Sequence, residues 1–229
     1  MNFIWENIAS RVLQVTETLI EPATCFNIID VSPNAINWWE KQSTIPCQAV
    51  PYTTFPQLQT LEPSKSTFIW VLPPATYFKD DTWSALLQSI RCVCQHYFLF
   101  ATFGVNTQST LEKILEINTP MNAPDLHDLG DQLVQAGWQR PMVQSQSLTV
   151  HYKHSATLFK DLEALGHGPF HPLFFDVKGI EKGPSHVLKQ PITLEINVCM
   201  AYNDASRQVQ VTDKDGSVGI PLDQFIKKD

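Results

Sequence analysis

Glycine is scarce in this sequence and absent from its first 103 residues. Only nine glycines occur among 229 residues, and the first is Gly104. A phosphate-binding loop needs residues without a Cβ atom, because the backbone must come very close to the ligand. The N-terminal part of the chain therefore contains no such loop. No Gly-x-Ser-x-Gly motif or Cys–His nucleophile motif indicates a hydrolase either.

Other absences narrow the class of protein. Charged residues make up 17% of the chain and the net charge is −7, so nothing favours binding to nucleic acid or to an anionic membrane surface. The longest apolar runs, such as 97–101 and 68–72, are too short to span a bilayer. The N-terminus has no basic region and no signal-peptide cleavage site. We therefore expect a cytoplasmic protein.

The cysteines and histidines do not predict a disulfide framework or a metal site. Five cysteines are scattered along the chain, which is typical of reduced thiols. Cys92 and Cys94 are separated by a single residue, which is not the spacing of a zinc or redox pair, so we predict that both pack in the core. A zinc site needs three or four converging ligands. The histidines form only a loose set: His151, His154, His167 and His171.

Hydrophobic periodicity predicts one α/β domain over residues 1–229. An amphipathic helix over 2–20 ends before Pro22, the strand Phe26–Ile29 follows, and Ser32-Pro33 opens the next helix. Later strands are predicted at 47–50, 66–72, 97–103, 142–152 and 191–202, and later helices at 33–42, 82–94, 106–116, 125–137 and 155–165. This alternation indicates a doubly wound, mostly parallel sheet with an antiparallel C-terminal strand. The parts are a leading helix (1–22), a sheet core (23–104), helices with a strand and loop (105–190), and a C-terminal strand and tail (191–229).

An acidic residue directly follows the first predicted strand. Asp30 stands where a buried parallel strand ends, a position at which a carboxylate commonly binds the ribose hydroxyls of a nucleotide cofactor. Alternatively, Asp30 caps the helix after Ser32-Pro33 or is a solvated strand end. Both interpretations stay open on the sequence alone.

Four blocks of sequence resemble class I S-adenosylmethionine-dependent methyltransferases. Within that class the chain most resembles the malonyl-acyl-carrier-protein O-methyltransferases of biotin synthesis. The blocks lie at 4–22, 27–33, 98–112 and 125–165. The last is the most specific, because it contains Asp125-Leu126-His127-Asp128-Leu129-Gly130-Asp131 and then Gly137-Trp138. The resemblance spans nearly the whole chain in the family's order.

The resemblance implies a cofactor, a partner and two site residues. The cofactor is S-adenosylmethionine, with Asp30 as the ribose-binding acid, and Tyr77 retains an aromatic residue in a substrate segment. The substrate is the free carboxyl of a malonyl thioester on acyl carrier protein. A carboxylate is already ionised at pH 7 and methyl transfer mainly needs positioning, so no catalytic base is required and none is identified.

Departures from the family's pattern fall on the cofactor site. The first strand, its glycine-rich loop and the following helix are missing between Pro22 and Cys25, so the resemblance predicts a sheet truncated there. The segment Cys47–Val50 lacks the family's acid beside the adenine, and 121–123 lacks its arginine. The alternative is therefore a non-catalytic, methyltransferase-like binding or assembly partner. Loss of a strand also exposes the flanks of its neighbours, which favours a homodimer.

The pair His127-Asp128 is a further candidate, because a histidine beside a carboxylate suits acid–base chemistry. In the resembled family these positions belong to the start of a structural helix. With Asp125 as its cap, this second interpretation needs no catalytic role.

Overall fold

The computed structural model describes residues 3–19, 25–29, 33–50, 66–73, 78, 81–115, 123–163, 188–203, 211–212 and 218–219. Its helices are α1 Phe3–Leu19, α2 Pro33–Gln42, α3 Asp81–Val93, α4 Val105–Leu115, α5 Leu126–Gln135 and α6 Ser155–Glu163. Its strands are β1 Phe26–Ile29, β2 Cys47–Val50, β3 Thr67–Val71, β4 Tyr97–Phe103, β5 Gln139–Val150, β6 Ile192–Tyr202, β7 Val211–Thr212 and β8 Val218–Gly219.

Six strands form one mixed sheet in the order β2-β1-β3-β4-β6-β5. The strands β2, β1, β3 and β4 are parallel, whereas β6 runs antiparallel to both β4 and β5. Among the described strands, β7 and β8 pair only with each other. The predicted fold class, a doubly wound and mostly parallel sheet with an antiparallel C-terminal strand, is confirmed.

Strand β1 is paired along both of its edges. Phe26 is in register with Cys47 of β2 on one side and with Thr67 of β3 on the other. No other strand of the described chain lies between β1 and β3. The sheet is therefore continuous here, without a gap. Loss of the family's first strand remains a prediction, but the structure leaves no unpaired flank on β1 for a partner to cover.

Two apolar layers sandwich the sheet, and β4 supplies side chains to both. Leu99 and Ala101 face the layer that includes Ile4, Ile8 and Val12 of α1. The alternating residues Phe98 and Phe100 face the layer formed by α3 and α5. Because β4 is covered on both faces, nearly all of it is apolar, as expected of a central strand.

Helix α5 begins and ends as the sequence predicts. The Asp125 carboxylate accepts a hydrogen bond of 2.8 Å from the backbone N–H of His127 and caps the helix. Gly137 follows the helix with φ at 84°, and the Trp138 N–H donates to the Leu133 carbonyl. This left-handed turn favours glycine because an L side chain there is strained.

The adjacent tryptophans of α2 lie in different environments, because neighbouring helix positions cannot both face the core. Trp39 is fully buried, whereas Trp38 is only partly buried and packs edge-on against Trp5 of α1, with 5.5 Å between the ring centroids. Among the described residues, no helix is both long enough and apolar enough to cross a membrane.

Candidate functional site

The carboxyl ends of the parallel strands form the candidate site, because ligands bind at this edge in doubly wound sheets. The strands β1, β2, β3 and β4 end there at Ile29, Val50, Val71 and Phe103. Asp30 follows Ile29 directly in the sequence.

Part of the predicted site lies outside the described residues. This applies to Asp30, to Tyr77 and to the histidines His167 and His171. The roles assigned to Asp30 and Tyr77 therefore stay predictions.

The described side of this edge at β1, β2 and β3 is apolar. Ile29, Val50 and Val71 are all buried. Leu72 then turns the chain with φ at 59°, is itself buried, and donates its N–H to the Ala101 carbonyl at 2.8 Å. S-adenosylmethionine carries ammonium, carboxylate and hydroxyl groups, which need polar partners when they are buried. Ile29, Val50, Val71 and Leu72 offer no polar side chain to such a ligand, and the segments that follow them, 30–32, 51–65 and 74–77, lie outside the described residues.

The end of β4 is polar and is organised by Glu195 of β6. The Gly104 N–H donates to the Glu195 carbonyl at 3.0 Å. The Glu195 carboxylate accepts hydrogen bonds of 2.9 Å from the backbone N–H of Asn106 and from the Ser145 hydroxyl. A Cβ atom on residue 104 would lie 2.4 Å from Glu195 Oε2, so the absence of a side chain at Gly104 makes room for this carboxylate.

The negative charge of Glu195 also stabilises the N-terminus of α4. The first N–H groups of a helix lack intrahelical partners and carry partial positive charge. The Glu195 carboxylate supplies the matching negative charge to Asn106, and the buried Thr107 hydroxyl hydrogen-bonds with both the carbonyl and the N–H of Glu195. This helix end is therefore filled by the protein's own acid. Glu195 was not predicted as a site residue, although it is the single charged residue in an otherwise uncharged strand.

The predicted acid–base pair starts a helix instead of forming a site. His127 and Asp128 are both exposed, in the first turn of α5, which Asp125 caps. His151 and His154 are exposed too. In the described part of the chain, no three His, Cys, Asp or Glu side chains come together in a way that would hold a metal ion.

The thiols differ in burial, and one prediction about them is wrong. Cys94 is buried as predicted, and this burial raises the pKa of its thiol to about 12. Cys199 is buried as well, and burial raises the pKa of its thiol. Cys92 is exposed instead of packed, because it lies on the outer face of α3. A buried thiol with a raised pKa stays protonated at neutral pH and is a poor nucleophile.

Solved structures of other proteins share the fold of this chain. No protein-family model matches the chain. In a solved structure of a SAM-dependent methyltransferase from Archaeoglobus fulgidus, the similarity covers 86% of this chain and 93% of that one, with a TM-score of 0.50 and 8% identity. At that identity the likeness concerns the fold. The chain has the Rossmann-like fold of class I S-adenosylmethionine-dependent methyltransferases, as the sequence resemblance predicts.

In sequence the chain is similar to malonyl-[acyl-carrier protein] O-methyltransferases. It is 25% identical over 144 residues to the one from Gallionella capsiferriformans strain ES-2, covering 61% of this chain and 49% of the relative. It is 33% identical over 92 residues to malonyl-[acyl-carrier protein] O-methyltransferase 1 of Coxiella burnetii, covering 37% of this chain and 33% of the relative. The chain thus spans half or less of the length of these relatives.

Proposed function

We propose that this chain is a malonyl-[acyl-carrier protein] O-methyltransferase-like protein whose cofactor site is eroded, and that it acts as a binding or assembly partner. The ends of β1, β2 and β3 support the proposal, because their described side chains are buried and apolar and offer no polar group to a nucleotide cofactor. The absence of glycine before Gly104 supports it, because no glycine-rich loop precedes these strands.

The second candidate is an active enzyme that uses S-adenosylmethionine to methylate the malonyl carboxyl on acyl carrier protein in biotin synthesis. The names of the curated relatives favour it. In this case Asp30 binds the ribose and Tyr77 lies beside the substrate. The proposed partner, acyl carrier protein, is the same for both candidates, since a non-catalytic relative can retain the surface that binds it.

A thermal-shift titration with S-adenosylmethionine separates the two candidates. A ligand at a hundred times its dissociation constant adds about 2.7 kcal/mol to stability, which raises the melting temperature of a chain of this size by roughly 5–10 °C. We expect no such rise. A rise that Asp30→Ala abolishes, while the matched surface change Asp128→Ala preserves it, would replace our proposal by the active enzyme.

Growth provides an independent test of activity. A strain without its own malonyl-acyl-carrier-protein methyltransferase needs biotin in the medium. We expect that expression of this chain leaves the requirement in place, whereas biotin-independent growth would contradict the non-catalytic proposal. Immunoblotting for the expressed chain is the control that the protein is present.

A further inference from the structure

The two outer strands of the sheet differ in length. β2 contributes four residues to one edge, whereas β5 contributes twelve to the other. β5 is paired with β6 along its inner edge, and no strand of the described chain pairs with its outer edge. A free edge exposes backbone N–H and C=O groups that another extended strand can bind.

Most of β5 lacks the features that normally protect a free edge. Edge strands are usually shielded by charged side chains, proline or bulges. β5 has these only at its start, where Arg140 has φ at 47°, Pro141 follows, and the register with β6 shifts between Gln139 and Met142. From 142 to 150 there is no charged residue and no proline.

One protecting contact from another element lies farther along the strand. The guanidinium of Arg11 on α1 donates to the Ser147 carbonyl at 2.9 Å and to the Gln146 side chain at 3.1 Å. The Ser147 carbonyl is thereby occupied. The stretch 142–146 is what remains between the protected start of β5 and this contact.

One exposed apolar side chain lies on this stretch. Met142 is 47% exposed, and among the described residues only Val105 and Val134 are comparably exposed large apolar side chains. Removing such surface from water favours association.

We propose that the 142–146 edge of β5 pairs antiparallel with the same edge of a second copy. Two-fold symmetry then places Gln144 opposite its own counterpart, with Met142 opposite Gln146. The stretch 142–146 contains no charged residue and meets itself without like-charge repulsion, with Arg140 and the Arg11 contact at Ser147 beyond its two ends, whereas a net charge of −7 opposes self-association through charged surfaces. The two sheets would continue across the axis. This inference is independent of whether the cofactor binds.

Sedimentation velocity on the purified chain tests the pairing, with Gln144→Lys as the disruptive variant. The change places two lysine ammonium groups face to face on the axis. Thr193→Lys is the matched control, because Thr193 is also exposed but lies on β6, where it pairs with Thr149 of β5 and is away from the outer edge. We expect twice the 25.9 kDa chain mass for the unmodified chain and for Thr193→Lys, and a single chain mass for Gln144→Lys.

Three outcomes would overturn the proposal. They are an unmodified chain that stays monomeric at high concentration, a dimer that Gln144→Lys leaves intact, and a dimer that Thr193→Lys dissociates equally. If the circular dichroism of Gln144→Lys shows unfolding, Met142→Lys on the same edge takes its place, with the same expected result. In the first of these outcomes, protection from hydrogen exchange of the β5 amides that point away from β6 would show that the chain covers its own edge.

Discussion

The carboxyl edge of the sheet has two unlike halves. At β4 and β6 both oxygens of the Glu195 carboxylate accept a hydrogen bond, and the absence of a side chain at Gly104 makes room for the carboxylate. At β1, β2 and β3 the described strand ends are apolar and buried. The sheet that supports both halves is equally well packed. The difference shows that the two halves are stabilised in different ways: hydrogen bonds to the Glu195 carboxylate hold the β4 and β6 half, whereas the strand ends of the other half belong to the apolar core.

The largest effect is expected from the core that both halves share. Phe100 on β4 is fully buried and packs against Trp83, with 5.1 Å between the ring centroids. Phe100→Ala should lower the free energy of unfolding by about 3–5 kcal/mol, since it removes apolar contacts and leaves a cavity. Urea denaturation measures this. Val50→Ala on the outer strand β2 is the comparison, and an equal loss there would contradict the central position of β4.

The Glu195 cluster, which consists of Glu195, Gly104, Asn106 and Ser145, tests the polar half. Glu195→Ala removes the charged acceptor of the Asn106 N–H and the Ser145 hydroxyl, which should cost about 1–2 kcal/mol because both donors are exposed and can bond to water instead. Gly104→Ala should cost a similar amount, because the new Cβ displaces the same carboxylate. In a double-mutant cycle the two losses should not add, since the second change removes an interaction that is already gone. Urea denaturation measures the losses. If they add, the absence of a side chain at Gly104 does not act through Glu195, and this explanation is wrong.

The smallest effect concerns the helix that packs over this half. Asp125→Ala removes the cap of α5 and should cost about 1 kcal/mol of stability. Asp125→Asn, which keeps a capping oxygen, should cost less. Thermal unfolding followed by circular dichroism distinguishes them, and equal losses for the two variants would rule out the capping role.

The sequence predicts the fold well because burial dictates residue type along the strands. The apolar run in β4 and the Asp125 and Gly137 ends of α5 are local patterns with a direct physical cause. The Glu195 cluster was not predicted, because it joins residues about 50 to 90 positions apart in the sequence. Cys92 was misplaced because spacing alone does not tell which face of α3 a residue occupies.

Equilibrium dialysis against radiolabelled S-adenosylmethionine tests the central claim most directly. If the cofactor half of the edge is eroded, the chain should retain no more label at millimolar concentration than a protein without a nucleotide site. Saturable binding of one molecule per chain, lost in Asp30→Ala, would contradict the claim and establish a working cofactor site.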